Sequence, residues 1–357
     1  MSIEGFMATW RELAIEAGMQ LFKASGVHRL AAPFTSGLGA ILMFHRVRPD
    51  RGEAFAPNAG LEITPQFLDA LLTHLAARGY DLLSLDAALD LLRGREAPAR
   101  PFVVLTFDDG YRDLVEHALP VLERRRAPFA AYVTCGFADQ TARLWWLEME
   151  EALRRLSRVE VVVAGRRIVR ACATAQEKRE AFSYIYWAIR DGAEEQLLDV
   201  VARLAGEAGV DSHVLTADAC LDWSGIAALA RHELATIGAH SVTHARLAKL
   251  DAAEARREMA DSRDFIEQKT GAAPKHFCYP VGDPTSAGAR EFALATELGF
   301  ESAVTTRPGM IFPEHRDYLH ALPRLSVNGK HQSLAALDIL LSGAPFAVMN
   351  RGRRVAA

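Results

Sequence analysis

The sequence is short of long apolar runs, and that shortage removes whole classes of protein. Its longest uncharged stretch, residues 30–44, is broken by Pro33, Gly37 and Gly39 and is too brief to span a bilayer. The amino-terminal segment also lacks the continuous apolar stretch of a secretory signal, because Glu4, Arg11, Glu12 and Glu16 interrupt it. The expectation is a protein that escapes the usual export route and works in the cytoplasm. Cysteine is scarce: Cys135, Cys172, Cys220 and Cys278 lie far apart with no CxxC pair, as small buried hydrophobes of a reducing compartment do. A surplus of one charge is missing too. The net charge is −4, and basic residues are mixed with acidic ones except in the short runs 124–126 and 351–354, which read as a solvated helix end and a tail. No nucleic-acid partner is expected from that pattern.

What is present is enough apolar residue, half of 357, to bury a core as one large domain or two smaller ones. Ile3, Phe6, Met7, Trp10, Leu13, Ala14, Ala17 and Leu21 fall near helical spacing and predict an amphipathic helix. Such a helix either packs on its own domain or makes peripheral contact with the inner membrane through residues 1–25. From residue 41 strand-like and helix-like segments alternate. "GAILMFHRV" reads as a strand, and "ITPQFLDALLTHLAARGY" as a helix with Thr64 capping, Pro65 in the first turn and Gly79 at the end. "VVLTF", "FAAYVT", "ELATIGAHS", "HFCYP" and "ESAVTT" continue the strands. The alternation predicts parallel βα units, as a barrel or an open sheet, with function gathered where strands end.

A block at about 138–233 breaks this rhythm. It is read as a mostly helical insertion within a domain spanning 41–330, preceded by a helical segment at 1–40 and followed by a helix and tail at 331–357. Its Trp145, Trp146, Tyr184, Tyr186 and Trp187 could form a sugar-stacking wall or simply core.

The stretch "FVVLTFDDGYRD", residues 102–113, runs a strand into two adjacent carboxylates, Asp108 and Asp109, and breaks at Gly110. Two like charges at a buried strand end are costly unless something positive lies between them. The second motif, "GAHSVTH", places His240 and His244 four residues apart after the strand "LATI", so one helical turn would bring both imidazoles to one face. Two histidines and a carboxylate form a common catalytic zinc arrangement. A divalent ion would answer the charge problem, taking one carboxylate as ligand and leaving the other free beside a bound water.

With "FCYPVGD" following, "TFDDGY" and "HSVTH" resemble the polysaccharide deacetylases of carbohydrate esterase family four, the NodB-homology domain, over residues 42–327. The resemblance implies an α/β fold, a distorted (β/α) barrel of about seven parallel strands. It implies Asp108 as general base and Asp109, His240 and His244 as metal ligands. Zinc is the first choice of ion, with cobalt, nickel or manganese as alternatives. The implied reaction removes N-acetyl groups from an amino-sugar saccharide and releases acetate, with the Val281 N–H stabilising the oxyanion.

Two departures stand out. The family's third motif usually carries an Arg that orients the base, and Cys278 stands in its place with Val281 where a Tyr would be. Arg324, in "LPRLSV", is the candidate substitute or else a structural arginine. The acid histidine is His45, in "ILMFHRV", as in the circularly permuted biofilm poly-N-acetylglucosamine deacetylases, or His320. Rival readings are a metal-dependent amidohydrolase or deformylase on a small nitrogen-containing ring, and a catalytically silent carbohydrate-binding relative.

Overall fold

The computed structural model describes residues 17–94, 98–190 and 192–355. In chain order the strands are β1 (Gly39–Phe44), β2 (Arg46–Val47), β3 (Glu62–Ile63), β4 (Asp81–Leu83), β5 (Phe102–Phe107), β6 (Phe129–Val133), β7 (Arg158–Val163), β8 (Arg166–Ala171), β9 (Ala235–Ala239), β10 (His276–Cys278), β11 (Ser302–Val304) and β12 (Leu325–Ser326). Seven of them form one all-parallel path, β11-β10-β9-β6-β5-β1-β12, and β4 pairs with the first half of β5. Residues 322–326 bring the two ends of this sheet together. Leu322 bridges Val304 of β11 while Leu325 pairs with Leu42 of β1, so the sheet curls into a distorted barrel.

The strand residues explain the closure. On β1, β5 and β6, Leu42, Leu105 and Ala131 face an outer core shared with helices such as Pro65–Ala77 and Ala252–Thr270, whereas Ile41, Val104 and Tyr132 face inward. Strands buried on both faces read as unbroken apolar runs, which is how these segments read in the sequence. The helix boundaries follow local chemistry. Thr64 caps Pro65–Ala77 by accepting from Phe67 N, and Asp251 forms a capping box with Glu254 before Gly271 ends Ala252–Thr270 at φ 86°.

Between β6 and β9 the chain leaves the barrel. The helices Trp145–Arg155, Ala175–Arg190 and Glu194–Glu207 and the hairpin β7–β8 share a second core, joined to the barrel through Tyr111. Of the segment expected to be amphipathic over 1–25, residues 1–16 lie outside the described residues, and 17–25 are helical. The expected carboxy-terminal helix is two, Leu334–Leu341 and Ala344–Met349, because Gly343 adopts φ 70° with Thr35 O pressed against the place a Cβ would occupy. Among the described residues no helix is long and apolar enough to cross a membrane.

Candidate active site

The carboxyl ends of β1, β5, β9 and β10 meet at one mouth of the barrel, and the residues that follow them converge there. After β5 the chain turns sharply, with Asp109 at φ 73° and Gly110 at φ 71°. This turn sends the two neighbouring carboxylates to different partners. Asp108 takes a bidentate pair from Arg324, whose Nη1 and Nη2 donate to Oδ1 and Oδ2 at 2.7 Å each. Asp109 points Oδ1 at the Nε2 atoms of His240 and His244, 3.4 and 3.3 Å away.

Arg324 is held in place by donating to Thr305 O at 2.9 Å and Thr106 Oγ1 at 3.0 Å, and its Nη2 lies 3.1 Å from Cys278 Sγ. The small thiol at Cys278 leaves the space that this guanidinium occupies. Burial pushes the Asp108 carboxyl up, but the charge and hydrogen bonds of Arg324 outweigh it and hold the group below its ordinary range. The Arg324 guanidinium is itself pushed up by Asp108 and Cys278 against the effect of burial.

The two histidines do not share a helical turn as the spacing suggested. After β9 the chain forms a loop in which Ser241 and His244 both adopt φ 63°, a conformation a right-handed helix excludes. Glu258 stabilises the loop by accepting from Val242 N, Thr243 N and Thr243 Oγ1 at 2.7–2.9 Å, and Ser241 Oγ accepts from His244 N at 3.0 Å. The ring centroids of His240 and His244 end 5.0 Å apart. His240 Nδ1 donates to Cys278 O at 2.7 Å, leaving Nε2 as the ligating nitrogen.

One potential ligand atom from each of Asp109, His240 and His244 lies within 4.8 Å of the others, and the buried Asp109 Oδ1 has no hydrogen-bond partner. A buried anionic oxygen without a donor is costly, and two imidazole nitrogens and one carboxylate are a zinc-type donor set. The residues therefore fit a divalent ion. Asp108, His240 and Cys278 also cluster, but there the Arg324 guanidinium already neutralises the carboxylate.

These groups open into a cavity of about 560 Å³ that His45, Val281 and the insertion also line. His45, at the end of β1, is half-buried. Its strand end is fixed by Asp113, which accepts from Arg46 Nε at 2.7 Å and Val47 N at 3.0 Å. Burial lowers the His45 pKa against the pull of Asp108 and Asp109, which makes its protonated form a stronger acid. Val281 adopts φ 63° beside the same cavity.

A family model described as polysaccharide deacetylase matches residues 95–166 and 191–303, together just over half of the chain. The chain belongs to the polysaccharide deacetylase family. It is a hydrolase of carbon–nitrogen bonds other than peptide bonds, as its family is. No curated protein matches the sequence. Among solved structures it is similar to the Streptococcus pyogenes deacetylase PplD in complex with acetate, at 18% identity and a TM-score of 0.56 over 85% of this chain and 97% of that one. It is also similar to IcaB from Ammonifex degensii, at 18% and 0.53 over 85% and 98%, and to a polysaccharide deacetylase from Bacillus cereus, at 17% and 0.52 over 84% and 68%. At these identities the likeness establishes the fold.

His320, the alternative acid of this deacetylase, does not line the cavity. Its Nε2 contacts Phe300 O at 2.8 Å and its Nδ1 contacts Thr296 Oγ1 at 3.0 Å, so both ring nitrogens are engaged in packing. The aromatic residues of the insertion divide between the two roles the sequence left open. Trp145 and Trp146 are buried, yet they line the cavity with Tyr186 and Trp187, whereas Tyr184 stacks under Arg170 at 3.9 Å. Trp146 reaches His244 with ring centroids 5.0 Å apart and donates Nε1–H to Tyr111 OH at 2.9 Å. Sequence reasoning missed Thr106, Thr305 and Glu258. Thr106, a lone hydroxyl inside an apolar strand, was the one of them with a visible signal.

Proposed function

We propose that this deacetylase is metal-dependent and removes N-acetyl groups from an amino-sugar-containing oligo- or polysaccharide, or its precursor. The observation that carries the reading is the division of Asp108 and Asp109 between two kinds of partner, a guanidinium and a pair of imidazoles, at the mouth of one cavity. Asp109, His240 and His244 are the residues that would hold the ion, zinc by donor type, with cobalt, nickel or manganese also compatible. When bound, the ion supplies Lewis-acid polarisation of the amide carbonyl and acidifies a water.

The chain's own residues supply the remaining roles. Asp108, kept ionised and oriented by Arg324, accepts a proton from the attacking water. The Val281 N–H donates to the oxygen on which negative charge develops. His45 gives a proton to the departing amine, a group that leaves poorly as an anion. Trp187 and Tyr186 offer ring faces to the saccharide. The test is acetate release from an N-acetylated glucosamine oligosaccharide before and after chelation. Release that stops on chelation and returns with zinc, cobalt, nickel or manganese supports the reading. Release unaffected by complete removal of metal, or none with any of these ions, overturns it.

A further inference from the structure

The insertion reaches the catalytic residues through more than its aromatic wall. Its helix Ala175–Arg190 ends at the cavity, which Arg190 lines with Tyr186 and Trp187. The Arg190 guanidinium, mostly buried, crosses to the barrel and donates from Nη2 to Asp283 Oδ2 at 2.6 Å, while Nη1 donates to Tyr186 OH at 3.1 Å. The same helix end is gripped by Arg246, two residues beyond His244. Arg246 donates to the main-chain oxygens of Arg190 and Gly192, the latter at 3.2 Å, and to Glu194 Oε2 at 2.7 Å.

Asp283 is the hub of the turn that carries Val281. Its Oδ1 accepts from Thr285 N at 2.9 Å and Thr285 Oγ1 at 2.7 Å, and its main-chain oxygen accepts from Ser286 N and Ala287 N at 3.0 and 3.1 Å. Just before it, Val281 adopts φ 63° and Gly282 φ 62°. That left-handed conformation suits Gly282, where a Cβ would meet Thr306 N at 2.9 Å. For a β-branched valine it is strained, and it persists only where the surroundings impose it. Thr306 is one anchor, its Oγ1 donating to Val281 O at 2.7 Å and its N to Gly282 O at 3.0 Å. Asp283, held by Arg190, is the other. The Val281 N–H donates to no group among the described residues, which leaves it available to an oxygen in the cavity that Val281 lines.

We propose that Arg190 is a positioning residue for deacetylation: acting through Asp283, it holds the strained turn in the geometry that presents the Val281 N–H to the reacting oxygen. This inference rests on the oxyanion role proposed for Val281, and it makes the insertion a brace for the catalytic centre as well as a wall. A donor stabilises a developing oxyanion only when held at about 2.7–3.1 Å from it, and a strained turn that loses one of two anchors relaxes toward conformations valine prefers. The planar guanidinium suits the task, since one fork engages Asp283 and Tyr186 together.

The experiment compares wild type with Arg190→Met, Arg190→Lys and Asp283→Ala as metal-loaded full chains. The substrate is an N-acetylglucosamine oligosaccharide, and the inhibitor is its methylphosphonamidate, a tetrahedral analogue of water addition to the acetamide. Arg190→Met should lose between about 10- and 10²-fold in kcat with KM within about twofold and bound metal unchanged, against ~10²–10³-fold for outright loss of an oxyanion donor. Affinity for the analogue should fall by the same factor as kcat/KM, and Arg190→Lys should restore most of both. Asp283→Ala should lose at least as much, and combining it with Arg190→Met should add nothing. A KM that rises while kcat holds would make Arg190 a substrate contact, and full activity in both Arg190→Met and Asp283→Ala would remove it from the reaction; either result overturns the inference. Unchanged analogue affinity beside a reduced kcat sinks the oxyanion role and the inference with it, while acetate release itself stands. Hydrogen exchange gives a readout independent of substrate: the peptide spanning residues 279–287, whose Gly282, Ser286 and Ala287 N–H groups are bonded within the turn, should exchange faster in Arg190→Met. If wild type releases no acetate from the saccharide, the deacetylation reading fails, and exchange decides alone. Unchanged protection overturns the inference whatever the activity.

Discussion

Replacing Arg324 with Met should expose how far the site depends on one buried charge pair. The Arg324 side chain is fully buried and spans Asp108, Thr106 and Thr305, with both Asp108 oxygens at 2.7 Å. Removing one member of such a pair typically costs about 3–5 kcal/mol, because the other is left charged and unpaired. For 357 residues, at about 2.1 cal/mol/K of unfolding entropy per residue, that corresponds to a fall of roughly 4–7 °C in Tm. The loss should depend on pH in a defined direction. In the wild type, burial raises the Asp108 pKa but Arg324 overrides it, so the folded value lies below the ordinary value of an aspartate. A depressed carboxyl contributes stability that is fully present above its unfolded pKa and is lost as pH falls through the folded one. In Arg324→Met burial is opposed only by the weaker pull of His240 and His45 and the pKa rises, so the variant should fall further behind as pH increases from about 4 to 8. The acid limb of its deacetylation profile should move to higher pH as well. Thermal unfolding with chelator present separates this effect from metal binding. The double replacement Asp108→Leu with Arg324→Met should recover most of the stability, since no charge is left buried. An Arg324→Met variant within about 1 kcal/mol of wild type at every pH would refute the argument.

Two further outcomes follow from placement. His45→Ala should lose about 10²–10⁴-fold in deacetylation while keeping its metal, whereas His320→Ala should lose stability but keep most of its turnover. Parallel rates and unfolding curves decide this, and a healthy His45→Ala beside a dead His320→Ala would reverse the assignment. All four cysteines are free and buried, and burial pushes the Cys135 thiol up to about 12. Native protein at pH 8 should therefore show no fast-reacting thiol in a colorimetric titration, and all four after denaturation. Any prompt reaction in the native state contradicts the burial.

The barrel was legible in the sequence because its strands are buried on both faces and announce themselves as apolar runs. The Asp108–Asp109 and His240–His244 motifs stood out because charge at buried strand ends demands an explanation. Arg324 could be nominated only through the gap left at Cys278. Its pairing with Asp108 depends on the closure that brings residues 322–326 against β11, a contact with no local signature. The histidine loop was misread for a related reason. Spacing alone suits a helical turn, but the left-handed Ser241 and His244 are held by Glu258, fourteen or more residues downstream. The insertion's aromatic residues could not be sorted into wall and core, since the same helical spacing serves both. Arg179 and Arg190 carried no signal of their own in the sequence, since only the fold turns their helix toward the cavity.

The most direct test is to measure bound metal and turnover together in Asp108→Asn and Asp109→Asn. The account gives these neighbours different work, so Asp108→Asn should retain about one divalent ion per chain and lose about 10²–10⁴-fold in deacetylation, whereas Asp109→Asn should lose both. Loss of the ion from Asp108→Asn, or full activity in either variant, would contradict it.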